Sequence, residues 1–230
     1  MKIYGLNKTT LLDYPEHVAA TLFTGSCNFR CPFCHNGELV ICPDTQPLLP
    51  EEEVFAFLEK RKGILQGVCI TGGEPTLQPD LRDIIRRIKE MGYLVKLDTN
   101  GSLPQVLESL LDEGLLDYIA MDIKSSKRGY ALAAGREIEI KNIERSTECI
   151  RQSGLPYEFR TTVVSQLHSA ETFEEIGAWL AGSRAYFLQQ YQHSSTVLDK
   201  NMSPCSPEEI KDFARILQKY IKNVGIRGLE

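Results

Sequence analysis

Three cysteines crowd into eight residues near the start of the chain, at Cys27, Cys31 and Cys34. Gly25 and Pro32 fall in the same segment, and both residue types are typical of loops. Three thiolates on one short loop can surround a single inorganic centre. An iron–sulfur cluster of four irons held by three thiolates would keep one iron without a protein ligand, and a substrate could bind that iron directly. The spacing therefore favours a catalytic metal centre.

A structural zinc site is the alternative interpretation of the same loop. Its fourth ligand would come from His35 or Cys42. Zinc ligands usually come as Cys-x2-Cys pairs on two separate knuckles, whereas the first gap here is three residues and no second pair follows. Seven cysteines are an odd number, and the remaining four are scattered along the chain. This distribution disfavours both a disulfide framework and a second cluster.

A second segment with chemical potential is Thr71-Gly72-Gly73-Glu74-Pro75. Two consecutive glycines allow a ligand to approach the backbone closely. The carboxylate of Glu74 could then form a charge-assisted hydrogen bond with a cationic group, such as the ammonium of an amino acid. A plain turn is the alternative explanation of the two glycines.

The elements that must position these segments alternate along the chain. Apolar runs predict six strands, over 18–23, 67–71, 93–98, 118–122, 157–164 and 185–188. Helical spacing of apolar residues predicts helices over 51–62, 80–91, 106–111, 143–152 and 173–180, and a last one that opens at the capping box 206–209.

Six strand–helix units predict an α/β fold with parallel strands and outer helices. Six units are too few for a closed eight-fold barrel, so we expect a partial (β/α)6 barrel, with an open doubly wound sheet as the alternative. One domain over 1–230, with a core of about 14–222, is expected because no linker divides the chain. Chemistry in such folds lies at the carboxyl ends of the strands, where both segments above fall.

Bulk composition excludes several function classes. The hydrophobic and charged fractions, 42% and 25%, are ordinary for a globular chain, and the net charge of −5 gives no reason to expect binding to nucleic acid or to an anionic membrane. No apolar run approaches the roughly 20 residues of a membrane span, and the first residues lack the pattern of a signal peptide. A cytoplasmic protein is expected.

The cysteine spacing together with the glycine–glutamate segment resembles the signature of the radical S-adenosylmethionine (SAM) superfamily. Cys34-His35-Asn36, with Asp13-Tyr14-Pro15 ahead of it, resembles the activating enzymes of glycyl radical proteins. Within that group the resemblance is to the longer activating proteins of anaerobic ribonucleoside-triphosphate reductase, from about Leu6 to the end of the chain.

The resemblance implies a 4Fe–4S cluster on the three cysteines, with SAM as the second cofactor and flavodoxin or ferredoxin as reductant. It implies cleavage of SAM to a 5′-deoxyadenosyl radical, which generates a glycyl radical on a partner enzyme, anaerobic ribonucleotide reductase. The cofactor contacts that it implies are Phe33, His35, Gly72, Gly73, Glu74, Asn100, Ile123, Lys124, Ser125, Arg160, Gln190 and His193. Asp98, Thr99 and Asp122 match a monovalent-cation site, and Asp13 matches a contact to the partner's radical loop.

Three other functions remain open from the sequence. One is a pyruvate formate-lyase-type activating enzyme, and another is a radical enzyme of the same fold that acts on a small molecule, such as a deazapurine synthase. A zinc-binding module without catalytic activity belongs to a different class. For Asp13, a local cap that ties down Tyr14-Pro15 is the alternative to a partner contact.

Overall fold

The architecture is a single eight-stranded sheet flanked by helices. It was analysed in a computed structural model that describes residues 1–229. In chain order the strands are β1 Ile3–Thr10, β2 Ala19–Thr24, β3 Gly67–Gly72, β4 Leu94–Thr99, β5 Tyr118–Asp122, β6 Tyr157–Val163, β7 Tyr186–Gln190 and β8 Val224–Arg227. Strand β1 pairs with β2 in the antiparallel direction, and β2 to β8 run parallel in sequential order.

The connections between the strands carry the helices. They are α1 Gly37–Ile41, α2 Glu51–Lys60, α3 Leu81–Glu90, α4 Pro104–Asp112, α5 Tyr130–Ala134, α6 Ile140–Gln152, α7 Ala170–Trp179 and α8 Pro207–Gln218, with short 3-10 turns at Pro43–Thr45 and Pro75–Leu77. Helix α3 shows why they form, because Leu81, Ile84, Ile85 and Ile88 repeat at helical spacing and are buried. Within residues 1–229 no helix is long and apolar enough to cross a membrane.

Strictly sequential parallel strands confirm the α/β partial barrel. The six predicted strands correspond to β2–β7. The sheet extends beyond the predicted core, 14–222, because β1 and β8 join it at the two edges. Neither edge strand was predicted from the sequence. Strand β1 contains a polar, exposed stretch, Asn7-Lys8-Thr9, and β8 has only four residues, one of which is a glycine.

The inner face of the sheet is polar, unlike the packed apolar interior of a closed barrel. Strand register places Cys69 beside Lys96 and Asp122 beside Arg160. Among these interior side chains Lys96 is only 1% exposed, so its charge must find a partner inside the protein. The fold thus buries its apolar side chains beneath the helices and keeps ionisable groups in the concavity.

An interior ion pair stabilises β8, the edge strand near the end of the sequence. Glu158 of β6 is 1% exposed and receives hydrogen bonds from Arg227 of β8 at 2.6 and 2.8 Å and from the hydroxyl of Tyr118 of β5 at 2.9 Å. A buried carboxylate that loses its cation is strongly destabilising. The pair therefore fixes β8, which the sequence pattern did not reveal, across β7 to the centre of the sheet.

We expect Arg227→Met to lower the free energy of unfolding by about 3 kcal/mol, because Glu158 would be left buried without a counter-charge. Arg215→Met is the matched control, since the Arg215–Asp212 pair is exposed on α8, and it should cost about 0.5 kcal/mol or less. Urea unfolding of both variants measures the difference. Equal losses would show that the Glu158 pair contributes no more than a surface pair.

Candidate active site

A cavity lies at the carboxyl ends of β2 to β6 and collects both segments that the sequence singled out. Its lining consists of Cys27, Phe29, Cys31, Phe33, Cys34, His35, Asn36, Val40, Thr71, Gly72, Gly73, Glu74, Asp98, Thr99, Asn100, Asp122, Lys124, Arg160 and Thr162. The parallel arrangement explains the collection, because each strand delivers its last residues to the same edge of the sheet.

The cysteine loop follows β2 and is anchored by its own backbone. The amide of Cys34 donates to the carbonyl of Cys31 at 3.0 Å, and the amide of Phe29 donates to the Sγ of Cys27 at 3.3 Å. The amide of Arg30 donates to the carbonyl of Ala134 at the end of α5, at 2.8 Å. These bonds present all three thiols to the cavity from a short loop.

Burial controls the protonation of the thiols. It raises the pKa of Cys27 to about 12 and that of Cys31 to about 11, and it also raises the pKa of Cys34. The thiols are therefore neutral near pH 7 unless a positive centre stabilises the thiolates. Metal binding supplies such a centre and releases the protons.

The donor set fits a cluster better than a zinc ion. The ring Nε2 of His35 contacts the carbonyl of Gln192 at 2.6 Å, and Cys42 is exposed and does not line the cavity. Across residues 1–229, no group of three or more His, Cys, Asp or Glu side chains is arranged to hold one metal ion. Three thiols spread around a cavity, without a fourth, are the ligands expected for a 4Fe–4S cluster with one open iron.

The two glycines allow a close contact between backbone segments, and their contact to the cofactor stays a prediction. A Cβ on Gly73 would lie 1.9 Å from the carbonyl oxygen of Ser26, and Gly72 has a φ of +116° with the backbone of Thr24 at 2.4 Å from an added Cβ. The amide of Glu74 donates to the same Ser26 carbonyl at 2.8 Å. The backbone that approaches the glycines is therefore that of the cysteine segment.

Glu74 is the centre of a buried hydrogen-bond network. Its Oε1 accepts from the amide and hydroxyl of Thr76 at 3.1 and 2.6 Å and from the hydroxyl of Thr99 at 2.7 Å, and its Oε2 accepts from the amide of Asn100 at 2.7 Å. Burial nevertheless raises the pKa of Glu74. Because Oε2 has a single donor, it retains capacity for another one, and a cationic ligand there would hold Glu74 ionised.

Opposite charges alternate along the strand ends from β4 to β5 and β6. Lys96 pairs with Oδ1 of Asp98, and Nη2 of Arg160 lies 3.0 Å from Oδ2 of the same carboxylate. Nε of Arg160 then lies 2.5 Å from Oδ1 of Asp122, and Lys124 Nζ lies 2.9 Å from Oδ2 of Asp122. Burial alone would raise the pKa of both carboxyls, but these cations outweigh it and hold each pKa below its usual range.

This ion-pair chain, Lys96–Asp98–Arg160–Asp122–Lys124, includes two of the three residues for which a monovalent cation is expected. Every carboxylate oxygen of Asp98 and Asp122 already faces a side-chain cation. The hydroxyl of Thr99 donates to Glu74 and accepts from the amide of Gly101 at 3.1 Å. The three residues therefore do not fit a metal cation, because their oxygens are engaged by the protein itself.

The other predicted cofactor contacts divide into two groups. Phe33, His35, Gly72, Gly73, Glu74, Asn100, Lys124 and Arg160 line the cavity. Ile123 and Ser125 do not, and they are only 0% and 1% exposed. Gln190 and His193 border a separate depression, whose lining includes Gln192 and Arg227. His35 is the one residue that lines both this depression and the cavity. The cofactor contacts of these four residues stay predictions.

Asp13 lies away from the cavity. It falls in the connection between β1 and β2, and its Oδ2 accepts a hydrogen bond from the hydroxyl of Thr21 at 2.5 Å. The connection reaches β2 at its amino end, whereas the cysteines follow the carboxyl end. This placement favours the local role, and the contact to a partner's loop stays a prediction.

Sequence reasoning missed several residues of the lining, including Phe29, Asn36 and Thr162. Thr162 lies two residues after Arg160 on β6, so strand alternation could have placed it on the same face. Asn36 stood in the recognised segment but had no assigned role; its Nδ2 donates to the carbonyl of Gly72 at 2.8 Å and ties the cysteine segment to β3.

Comparison with known proteins identifies the family. Residues 21–180 match the Radical SAM superfamily. A protein of Methanocaldococcus jannaschii assigned as a glycyl-radical enzyme activating enzyme is 31% identical over 235 residues, which cover 99% of this chain and 96% of that protein. A Thermococcus kodakarensis protein assigned as a GTP 3′,8-cyclase is 30% identical over 159 residues, 66% of this chain and 50% of that protein.

A solved structure in complex with S-adenosylmethionine shows the same fold. Streptococcus suis SuiB bound to S-adenosylmethionine matches with a TM-score of 0.68 at 14% identity, and the match covers 91% of this chain and 52% of that chain. The present chain thus spans about half of that structure. The chain belongs to the radical SAM superfamily and is a radical SAM enzyme, a family that implies a 4Fe–4S cluster and SAM.

Replacing any one of Cys27, Cys31 or Cys34 with Ala should abolish iron retention and SAM cleavage, because a cluster held by two thiolates loses a ligand that nothing nearby replaces. Cys42→Ala, at an exposed thiol, and Cys205→Ala, at a buried one, are the matched controls. Iron and sulfide content after anaerobic reconstitution gives the measurement. Full iron content in Cys31→Ala, or loss of iron in Cys42→Ala, would contradict the ligand assignment.

Proposed function

We propose that this enzyme cleaves SAM reductively and uses the resulting radical to form a glycyl radical on a partner enzyme, anaerobic ribonucleoside-triphosphate reductase. A 4Fe–4S cluster bound to the three cysteines would pass one electron to the sulfonium of SAM, giving methionine and a 5′-deoxyadenosyl radical. That radical would take a hydrogen atom from a glycine α-carbon and leave 5′-deoxyadenosine. The observation that carries the proposal is one cavity that unites three thiols, a buried carboxylate and buried cations.

The polar groups of the cavity are complementary to a zwitterionic amino acid. Glu74 offers an acceptor for the ammonium through Oε2, which has one donor. Lys124 and Arg160 offer donors for a carboxylate: Lys124 Nζ has one carboxylate partner, and the ion pairs of Arg160 use only Nε and Nη2. Charge-assisted bonds of both signs would hold the methionyl end of SAM in one orientation.

Similarity in sequence supports a glycyl radical partner over a small-molecule substrate. The M. jannaschii relative matches this chain over nearly its whole length, 96%. The GTP 3′,8-cyclase relative matches over only 50% of its own length. A pyruvate formate-lyase-type partner is the second candidate, and flavodoxin or ferredoxin is the proposed electron donor.

The direct test incubates the reconstituted, reduced enzyme with SAM and each purified partner. Anaerobic ribonucleotide reductase should develop a glycyl radical signal by electron paramagnetic resonance, with 5′-deoxyadenosine and methionine in equal amounts. A signal only on pyruvate formate-lyase would move the assignment to the second candidate. Cleavage of SAM with no radical on either protein would refute an activating role for these partners.

Glu74→Gln should weaken SAM binding about tenfold or more while the cluster is retained, because a charged hydrogen bond in a closed site is worth roughly 1.5–3 kcal/mol. Thr76→Val is the control, since it removes one donor to Glu74 and Thr76 does not line the cavity. Isothermal titration of the reconstituted proteins measures both affinities. If Glu74→Gln binds SAM as tightly as the parent, Glu74 does not contact the ammonium.

Asp13→Ala tests the proposed partner contact. If Asp13 contacts the radical loop, this variant should cleave SAM normally without a partner but form little glycyl radical, since positioning matters only when the partner is bound. Thr21→Val is the control, because it breaks the Asp13–Thr21 hydrogen bond and keeps the carboxylate. A normal radical yield from folded Asp13→Ala would rule the contact out, and equal deficits in both variants would assign a local structural role.

A further inference from the structure

The ion-pair chain holds one more positive than negative charge, although each of its groups has a partner. It contains three cations, Lys96, Arg160 and Lys124, and two carboxylates, Asp98 and Asp122. An unbalanced charge inside a protein is costly unless a counter-charge arrives. Four of the five residues line the cavity, whereas Lys96 does not. The ion-pair chain therefore presents its excess positive charge to the cavity, although Lys96 itself lies deeper in the protein.

Lys96 is the buried terminal member of the ion-pair chain. Its side chain is 2% exposed and pairs with Asp98, while its Nζ lies 3.7 Å from the Sγ of Cys69 and 5.9 Å from the centre of the Tyr118 ring. These groups enclose the ammonium on the inner face of the sheet. A metal cation bound from solvent could leave the site and be replaced by another ion. The ammonium of Lys96 cannot, because it is covalently attached to β4.

We propose that Lys96 is a built-in cation and a positioning residue for SAM, and that it makes SAM binding independent of alkali-metal ions. This inference rests on the proposed function, since it assumes that SAM is the ligand of the cavity. Lys96 neutralises Oδ1 of Asp98, so that Arg160 is shared between Asp98 and Asp122 and is not drawn to either one.

Consequently Arg160 keeps an Nη1 outside both of its ion pairs, and Lys124 keeps two N–H donors beyond its bond to Asp122. These donors can receive the carboxylate of SAM. Without Lys96 the ion-pair chain would hold two positive and two negative charges. Its attraction for the carboxylate of SAM would then be weaker.

The test measures the dissociation constant of SAM for the reconstituted protein in potassium, sodium or tetramethylammonium chloride at constant ionic strength. The parent protein should show the same value, within about twofold, in all three salts, because the bulky organic cation cannot enter a metal site. Lys96→Ala should bind SAM about tenfold or more weakly in tetramethylammonium chloride, and potassium should restore the affinity as its concentration rises.

Two further variants separate charge from packing. Lys96→Met fills the same space without charge or room for an ion, so it should bind SAM weakly in every salt. Lys89→Ala removes a lysine that pairs with Asp117 outside the cavity, and it should match the parent. Thermal melting of each variant shows whether it is folded.

The outcomes are distinct. Weaker binding of SAM by the parent in tetramethylammonium than in potassium would overturn the inference, and this arm needs no variant. Parent-like affinity of Lys96→Ala or Lys96→Met in every salt would also overturn it, as would a deficit in folded Lys96→Ala that potassium does not relieve. Failure of the parent to bind SAM in any salt would instead refute the proposed function.

Discussion

The need to pair buried charges constrains this structure more than any single apolar contact. Asp122 and Arg160 are register partners on β5 and β6, and Arg160 also reaches across β5 to Asp98 on β4. Ala120, the register partner of Asp98, lies on the strand between the two groups. A shift of any of these strands by one residue would turn its charged groups to the opposite face. The electrostatics thus hold the centre of the sheet in one register.

A second constraint joins the metal-binding loop to the sheet. Gly73 leaves no space for a side chain beside the Ser26 carbonyl, and Asn36 bonds the carbonyl of Gly72 from the other side. Asn100 extends the connection to β4, with its Nδ2 at 2.9 Å from Oδ1 of Asn28. The cysteine loop is therefore attached to the ends of two strands in addition to its own. Such attachment reduces the freedom of a loop that would otherwise be mobile, and a catalytic centre requires that precision.

Sequence patterns predicted the repeating strand–helix units. They missed the features that depend on contacts between residues far apart in the sequence. The strands β2–β7 were visible because each is a short apolar run followed by a helix with a clear stripe. Strand β8 was not visible because its stability comes from Glu158, 69 residues earlier. In the site, the cysteines and Glu74 were found from local spacing. Strand alternation places Lys96 on the same face as Asp98, but its role could not be found in this way, because only the folded sheet shows that Cys69 lies beside Lys96 and that Arg160 shares the Asp98 carboxylate.

The comparison with SuiB shows which of these features the fold itself requires. The two proteins share a fold over 91% of this chain at only 14% identity, so few individual side chains are needed to form the sheet. Parallel strands bring any residues at their carboxyl ends together, and the chemistry then depends on which residues those are. In this chain the strand ends supply thiols on one side and a positively charged ion-pair chain on the other. Because Lys96 is itself part of β4, its contribution to the positive charge of the ion-pair chain is fixed by the fold.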